Sequence, residues 1–253
     1  MSARHTDALA TVRRHYPDAI PTQEATQRLL DLLDREYAMP CGRLLLADSI
    51  CADDVNSVEY PPAAAAMVGP FKLGGLNGFP HAGLTGMGAF AGHVPDSGGI
   101  VIYHAPHIGV SEAGELGVIR RPGQSRVSGC CGAARAALAR LESGALVESR
   151  PDELDYQQGT VEQVLLRQRE RILTAADRLK EATEVMYEAI AERIDLLVSR
   201  TSFPARYLVR FGGILINGDD GAGSFSSARR VLLTDLVTGE VRDLQPALRE
   251  PTA

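Results

Sequence analysis

The chain has 253 residues, with 26 Lys and Arg against 32 Asp and Glu, a formal charge of −6, 45% hydrophobic residues, no Trp and four Cys. That is enough apolar material for one large globular domain, and mild acidity without a clustered basic stretch leaves no electrostatic footprint for nucleic acid. The first seven residues are polar and no apolar run approaches the roughly 18 residues of a membrane span, so the sequence predicts a soluble cytoplasmic protein with neither signal peptide nor membrane helix.

Two helices are predicted first, over residues 4–17 and 22–36. Leu9, Val12 and Tyr16 recur at helical spacing in one, while Thr22 caps the other and Leu29, Leu30 and Leu33 share a face. They read as an N-terminal helical cap, residues 1–37, ahead of a single domain over residues 38–253. The apolar run at residues 43–48 reads as a buried strand ending near Ile50. Ten of the 25 glycines then fall between residues 69 and 99, where only 83–93 reads as a helix. Residues 99–103 are a second buried strand and 115–119 a weaker third; Ser128 begins a helix signature with an Ala-rich body at 132–141. The longest helical pattern covers 160–198, and strands at 207–217 and 228–236 flank a Gly/Asp-rich turn at 218–223, the pattern of a hairpin with a long loop. The mixture gives an α/β or α+β class.

Four Cys are too few for a disulfide framework, and reduced thiols are free to bind metal or react. Cys51 and Asp53 follow the first strand two residues apart, a spacing that shares a face in extended chain. His104 and His107 follow the second strand. Cys130 and Cys131 open the Ala-rich helix, where free backbone N–H groups and the helix dipole favour a thiolate. Each element alone has a plain structural explanation, a packed thiol or a hydrogen-bonded core histidine. Together they make a Cys₂His set with a vacant tetrahedral position, the pattern of a catalytic zinc site. Adjacent helical residues point about 100° apart, so only one of the paired thiols faces a given metal. Cys41 precedes the strand and is expected at its far end. Two thiolates offset much of the charge of Zn²⁺, so water at the site acidifies less than in a three-histidine site, and Asp53 is placed either to accept a hydrogen bond from it or to ligate reversibly at low pH.

Six motifs occur in a fixed order: Cys-x-Asp-Asp-Val-Asn at 51–56, Gly-Gly-Leu-Asn-Gly-Phe-Pro at 74–80, His-Val-Pro-Asp-Ser-Gly-Gly at 93–99, Pro-His-Ile-Gly at 106–109, Cys-Cys-Gly at 130–132 and Phe-Gly-Gly-Ile-Leu-Ile-Asn at 211–217. Over residues 40–237 the sequence resembles the limiting-CO₂-inducible B/C proteins, a group that includes theta-class carbonic anhydrases. The resemblance implies an α/β fold with a central mixed β-sheet flanked by helices, like that of beta-class carbonic anhydrases. It also implies a homodimer, CO₂ and bicarbonate as substrates, and zinc held by Cys51, His107 and Cys131 with Asp53 beside it. Relatives carry an Arg soon after Cys-x-Asp to pair with the carboxylate; residues 55–73 contain only Lys72, so Arg120 or Arg121 is the expected substitute. The resemblance implies reversible CO₂ hydration, with Phe79, Leu84 and Phe90 walling a small apolar pocket. The missing local Arg motivates an alternative, a catalytically weak zinc-stabilised scaffold or inorganic-carbon sensor.

Overall fold

A computed structural model describes residues 3–56 and 60–249. In chain order the elements are α1 (Ala3–Arg13), β1 (Ile20–Pro21), α2 (Thr22–Tyr37), β2 (Leu44–Ser49), β3 (Val68–Lys72), α3 (Gly83–Ala91), β4 (Gly99–His104), β5 (His107–Gly109), β6 (Val118–Ile119), β7 (Ser128–Gly129), α4 (Gly132–Glu142), α5 (Tyr156–Arg167), α6 (Arg169–Thr174), α7 (Arg178–Ser199), β8 (Tyr207–Asn217), β9 (Ser224–Asp235), β10 (Val241–Asp243) and α8 (Gln245–Arg249). The central sheet runs β1-β9-β8-β4-β2-β3, with β10 also on β9 and β5 also on β8. Pairings among β3, β2, β4, β5 and β8 are parallel, and those of β9 with β8, β1 and β10 are antiparallel, so the sheet is mixed.

β2 and β4 are buried at every position because helices cover both faces of the sheet. Leu44, Leu46, Val101, Tyr103, Val209 and Phe211 pack on one face against Leu29 and Leu33 of α2. Leu45, Ala47, Ile100, Ile102 and Leu208 pack on the other against Ile190, Ile194 and Leu197 of α7 and Met87 and Phe90 of α3. This is the two-residue alternation of a strand, with both sets of side chains apolar. α1 brings Leu9 and Val12 onto Ile108, Ile214 and Ile216 at the ends of β5 and β8, and β1 pairs with β9.

The long pattern over 160–198 is three helices. Gln168 leaves helical geometry (φ −110°, ψ 23°), and the Asp177 side chain caps α7 by accepting the N–H of Lys180 at 2.9 Å. The apolar spacing stays in phase across both breaks because α5, α6 and α7 share one core with α4. The first helix ends at Arg13 rather than residue 17, since Pro17 disfavours helical geometry in the residue before it. Of the third predicted strand, Val118 and Ile119 form a two-residue strand paired with Ser128 and Gly129 while Leu116 makes a single bridge to Val110, so Ser128 belongs to a strand and α4 starts at Gly132. The second hairpin strand begins at Ser224, four residues before the predicted start.

β8 is long enough to pair with β4 through residues 208–212 and with β5 through 215–217. β4 and β5 are thus one path interrupted at Ala105 and Pro106, with the Pro106 carbonyl accepting the Leu215 N–H at 3.0 Å. At the interruption Ser49 lies opposite His104 in register, so β2 and β4 end together, at the carboxyl edge where parallel sheets place ligands.

His104 is fully buried, stacks on Tyr187 (6.1 Å, 6°), and packs so closely on Gly212 that a Cβ there would meet its Cε1 at 2.4 Å. Neither ring nitrogen has a hydrogen-bond partner among the described residues. Burial, aided by the charge of Arg230, pushes its pKa down to about 3. The unfolded chain takes up this proton below about 6.5 and the fold resists it, so stability is complete above that pH and falls from there toward about 3. His104→Phe should remove this loss, flattening the dependence of the unfolding free energy on pH in that window by up to about 1.4 kcal/mol per pH unit. Chemical denaturation at pH 7.5, 6, 5 and 4 measures it.

Candidate metal centre

Three segments converge at the carboxyl edge. Cys51 follows β2 by two residues, His107 opens β5 and Cys131 immediately precedes α4, its carbonyl accepting the Arg135 N–H at 3.1 Å. All three are buried, and one donor atom of each lies within 4.8 Å of the others. The two sulfurs are 3.9 Å apart. Cys51 Sγ accepts the Asn77 N–H at 3.1 Å, presented by a backbone at φ 54°. Gly78 follows at φ 80° and wedges between the strand ends: a Cβ there would meet the Ala105 carbonyl oxygen at 2.3 Å and that of Ser49 at 3.2 Å. The glycine-rich 74–80 loop is therefore seated directly on β2 and β4.

His107 Nδ1 lies 2.8 Å from Asn217 Oδ1. The Asn217 amide nitrogen donates to the Val55 carbonyl at 3.3 Å, which fixes the amide's orientation and makes Nδ1–H the donor in the first bond. Nε2 is left buried and without a hydrogen-bond partner among the described residues. Cys130 Sγ stands 3.5 Å from Nδ1 and 3.6 Å from Asn217 Oδ1, beside the nitrogen already engaged, although it also lies within 4.8 Å of donor atoms of His107 and Asp53. Both paired cysteines precede α4, so helical twist is not what separates their thiols. His104 faces the core and takes no part. Cys41 lies in the turn before β2, at the strand's opposite end.

The electrostatics match this geometry. A hydrogen bond from Cys131 holds the Cys51 thiol well below its ordinary pKa, reinforced by His107, and the shared proton pushes Cys131 up. Burial alone would lower the pKa of His107, but the sulfurs of Cys131, Cys130 and Cys51 gathered around the ring outweigh it and push it up. Protons thus occupy a cluster whose sulfur and nitrogen lone pairs converge.

Asp53 sits at the rim, with Oδ2 3.9 Å from His107 Nε2. Burial would raise its pKa, but Asp54 and Arg121 prevail and lower it. Arg121 donates from Nη2 to both Asp53 oxygens at 2.9 Å, from Nε to Asp54 at 3.2 Å, and from Nη1 to Ser128 Oγ at 2.5 Å and the Gly129 carbonyl at 3.1 Å. Every guanidinium donor is engaged, so Arg121 orients the carboxylate and has none left for another anion. Arg120 is exposed, and Lys72 pairs instead with buried Asp48 at 2.6 Å.

The apolar pocket expected from Phe79, Leu84 and Phe90 does not form at this centre: Leu84 is 55% exposed, and Phe90 packs in the core with Phe71 and Phe203. What adjoins the centre is a cavity of about 330 Å³ lined by Val55, Ile119, Arg121, Asn217, Asp219 and Asp220 among others. Sequence reasoning gave no role to Asn77, Asn217 or Asp219. The first two stand as lone polar residues inside the glycine-rich and apolar motifs at 74–80 and 211–217, which is the only local signal they carry.

Residues 19–235 match the family of limiting CO₂-inducible proteins B/C beta carbonic anhydrases. The chain belongs to this family. The crystal structure of PtLCIB4, a homolog of the limiting CO₂-inducible protein LCIB, superposes with a TM-score of 0.80 at 28% identity, covering 93% of this chain and 98% of that one. The crystal structure of LCIB itself superposes at 0.68 with 20% identity, covering 91% and 95%, and shows the shared fold. No curated protein matches the chain. Among the described residues no helix is long and apolar enough to cross a membrane.

Replacing Gly78 by Ala should strain the backbone and push the loop off the strand ends, destabilising the fold by roughly 1–3 kcal/mol. A lowered melting temperature together with altered reactivity of the Cys51 thiol is the expected result. Unchanged melting would show that the loop seats by other means.

Proposed function

We propose that the chain is a zinc-dependent carbonic anhydrase catalysing reversible hydration of CO₂ to bicarbonate and a proton, with Cys51, His107 and Cys131 as metal ligands and Asp53 and Arg121 completing the site. The observation that carries this reading is the buried, unpartnered Nε2 of His107 in a cluster with two buried thiols, one held below its ordinary pKa. Two sulfurs and one imidazole suit zinc, and three protein ligands are the number that leaves a position for chemistry. When bound, zinc supplies the Lewis acidity that brings water activation within reach of physiological pH.

The chain's own residues do the rest. Asn217 holds the ring of His107 in the tautomer that presents Nε2. The Asn77 N–H steadies negative charge on Cys51. Asp53, kept ionised and aimed by Arg121, accepts a hydrogen bond from the attacking water and orients it toward CO₂. The Asp53–Arg121 pair favours catalysis over the scaffold or sensor alternative, because the guanidinium whose local absence motivated that alternative is supplied from 68 residues further along the chain. A homodimer in solution is part of the same reading.

The purified protein should carry about one zinc per chain, and X-ray absorption should show two sulfur ligands and one nitrogen ligand. Cys131→Ser should abolish retention of zinc through dialysis, while Cys130→Ser largely spares it. The reverse result would move the ligand to Cys130, and the absence of zinc–sulfur scattering would sink the assignment.

Stopped-flow measurement of CO₂ hydration tests the reaction itself. Asp53→Ala should lower kcat by about 100-fold or more while zinc stays bound, because the carboxylate orients water and does not carry the metal. Full activity in this variant, or loss of zinc equal to that of Cys51→Ser, would show that Asp53 has another role.

A further inference from the structure

Asp219, at the tip of the β8–β9 hairpin, is 5% exposed, yet among the described residues neither a cation nor a polar side chain bonds its carboxylate. Its two oxygens take main-chain N–H groups from separate loops, Oδ1 from Arg120 at 2.7 Å and Oδ2 from Glu112 at 3.1 Å. The next residue answers in the opposite sense, the Asp220 N–H donating to the Arg120 carbonyl at 2.9 Å. The hairpin tip therefore grips the peptide units on both sides of Arg120, and the residue that leaves this grip is Arg121.

A buried carboxylate bonded only to amides stays in the fold when those amides are correctly placed, and it places them in turn, since charge-assisted bonds to N–H groups are short and strong. The grip is needed because Arg121 reaches Asp53 from a segment with little structure of its own. Between Ile119 and Ser128 the chain is turns and bends, and residues 122–127 contribute no side-chain hydrogen bond to the centre among the described residues. Two residues upstream, at the last position of β8, Asn217 holds His107 and the Val55 carbonyl. One end of one hairpin thus fixes both the histidine and the guanidinium.

We propose that Asp219 is a positioning residue: by clamping the backbone at Arg120 it aims the Arg121 guanidinium at Asp53, and so sets the orientation of the carboxylate that works in the reaction. The catalytic consequence rests on the proposed carbonic anhydrase reading, whereas the clamp itself is metal-independent. The test therefore has two arms.

The first arm reads the guanidinium directly in the full-length protein. The Nε–H resonance of Arg121, identified by its disappearance in Arg121→Lys, is followed by NMR, and its exchange with solvent is measured. Asp219→Ala should accelerate that exchange about tenfold or more, as local opening becomes cheaper. Asp219→Asn, which keeps the volume and one acceptor, should do so to a lesser extent and covers the case in which the alanine variant fails to fold. Asp220→Asn, whose contribution is a main-chain N–H, should leave exchange unchanged. Protection equal to that of the wild type in the Asp219 variants would overturn the proposal.

The second arm reads CO₂ hydration. Asp219→Asn should lower kcat toward the level of Arg121→Ala with little change in KM, and adding it to Arg121→Ala should cost nothing more, because both act through the same contact. Additive losses would overturn the positioning role. No hydration by the wild type would overturn the proposed reaction instead, and the exchange measurement would still decide whether Asp219 aims Arg121.

Discussion

The ladder between β8 and its parallel neighbours is the interaction on which the remaining structure depends. Of the eleven residues of β8, five pair with β4 and, past the break at Ala105 and Pro106, three pair with β5. That second pairing sets His107 level with Leu215 and brings it within 2.8 Å of Asn217, the last residue of β8. A slip of one residue would turn every side chain of β8 to the opposite face, taking Val209 and Phe211 out of one core and Asn217 away from the imidazole. Core packing and site geometry are therefore specified by the same register.

The donors at the centre are costly to bury and are tolerated because each is matched. A thiolate alone in an apolar interior is unfavourable, but Cys51 has the Asn77 N–H and the Cys131 thiol, and Asp53 has a bidentate guanidinium. Negative charge is gathered at a strand edge where amide N–H groups and one Arg can meet it. Nε2 of His107, by contrast, is buried without a partner among the described residues, as are both amide atoms of the Asn77 side chain, and unmatched polar atoms beside two buried thiols are what a site able to take a ligand presents.

How much of this was legible in the sequence depended on how local the cause is. β2 and β4 were readable because strands covered on both faces are continuous apolar runs, and the β8–β9 turn because its glycines and aspartates mark it. β3 was not, since an edge strand of Val-Gly-Pro-Phe-Lys has neither alternation nor an uninterrupted apolar run. The three helices over 156–199 looked like one because apolar spacing records the face that is buried and not the axis that carries it. At the centre, Cys51 and the motif His107 were visible as residue types at strand ends. The choices between Cys130 and Cys131, and between Arg120 and Arg121, are set by loop paths that only tertiary contacts define. Asn217 and Asp219 escaped notice because their roles are to hold other residues, and nothing local marks a side chain whose partner lies a hundred positions away.

The three converging donors come from positions 51, 107 and 131, on two loops and the first residue of β5. No two of these three are close in the chain, so the set itself exists only in the folded molecule. Such a centre comes together only after the slow, non-local strand pairings are in place. An ion bound there would favour the native state in proportion to the logarithm of its concentration over its dissociation constant, and would make metal supply and conformational stability a single linked quantity.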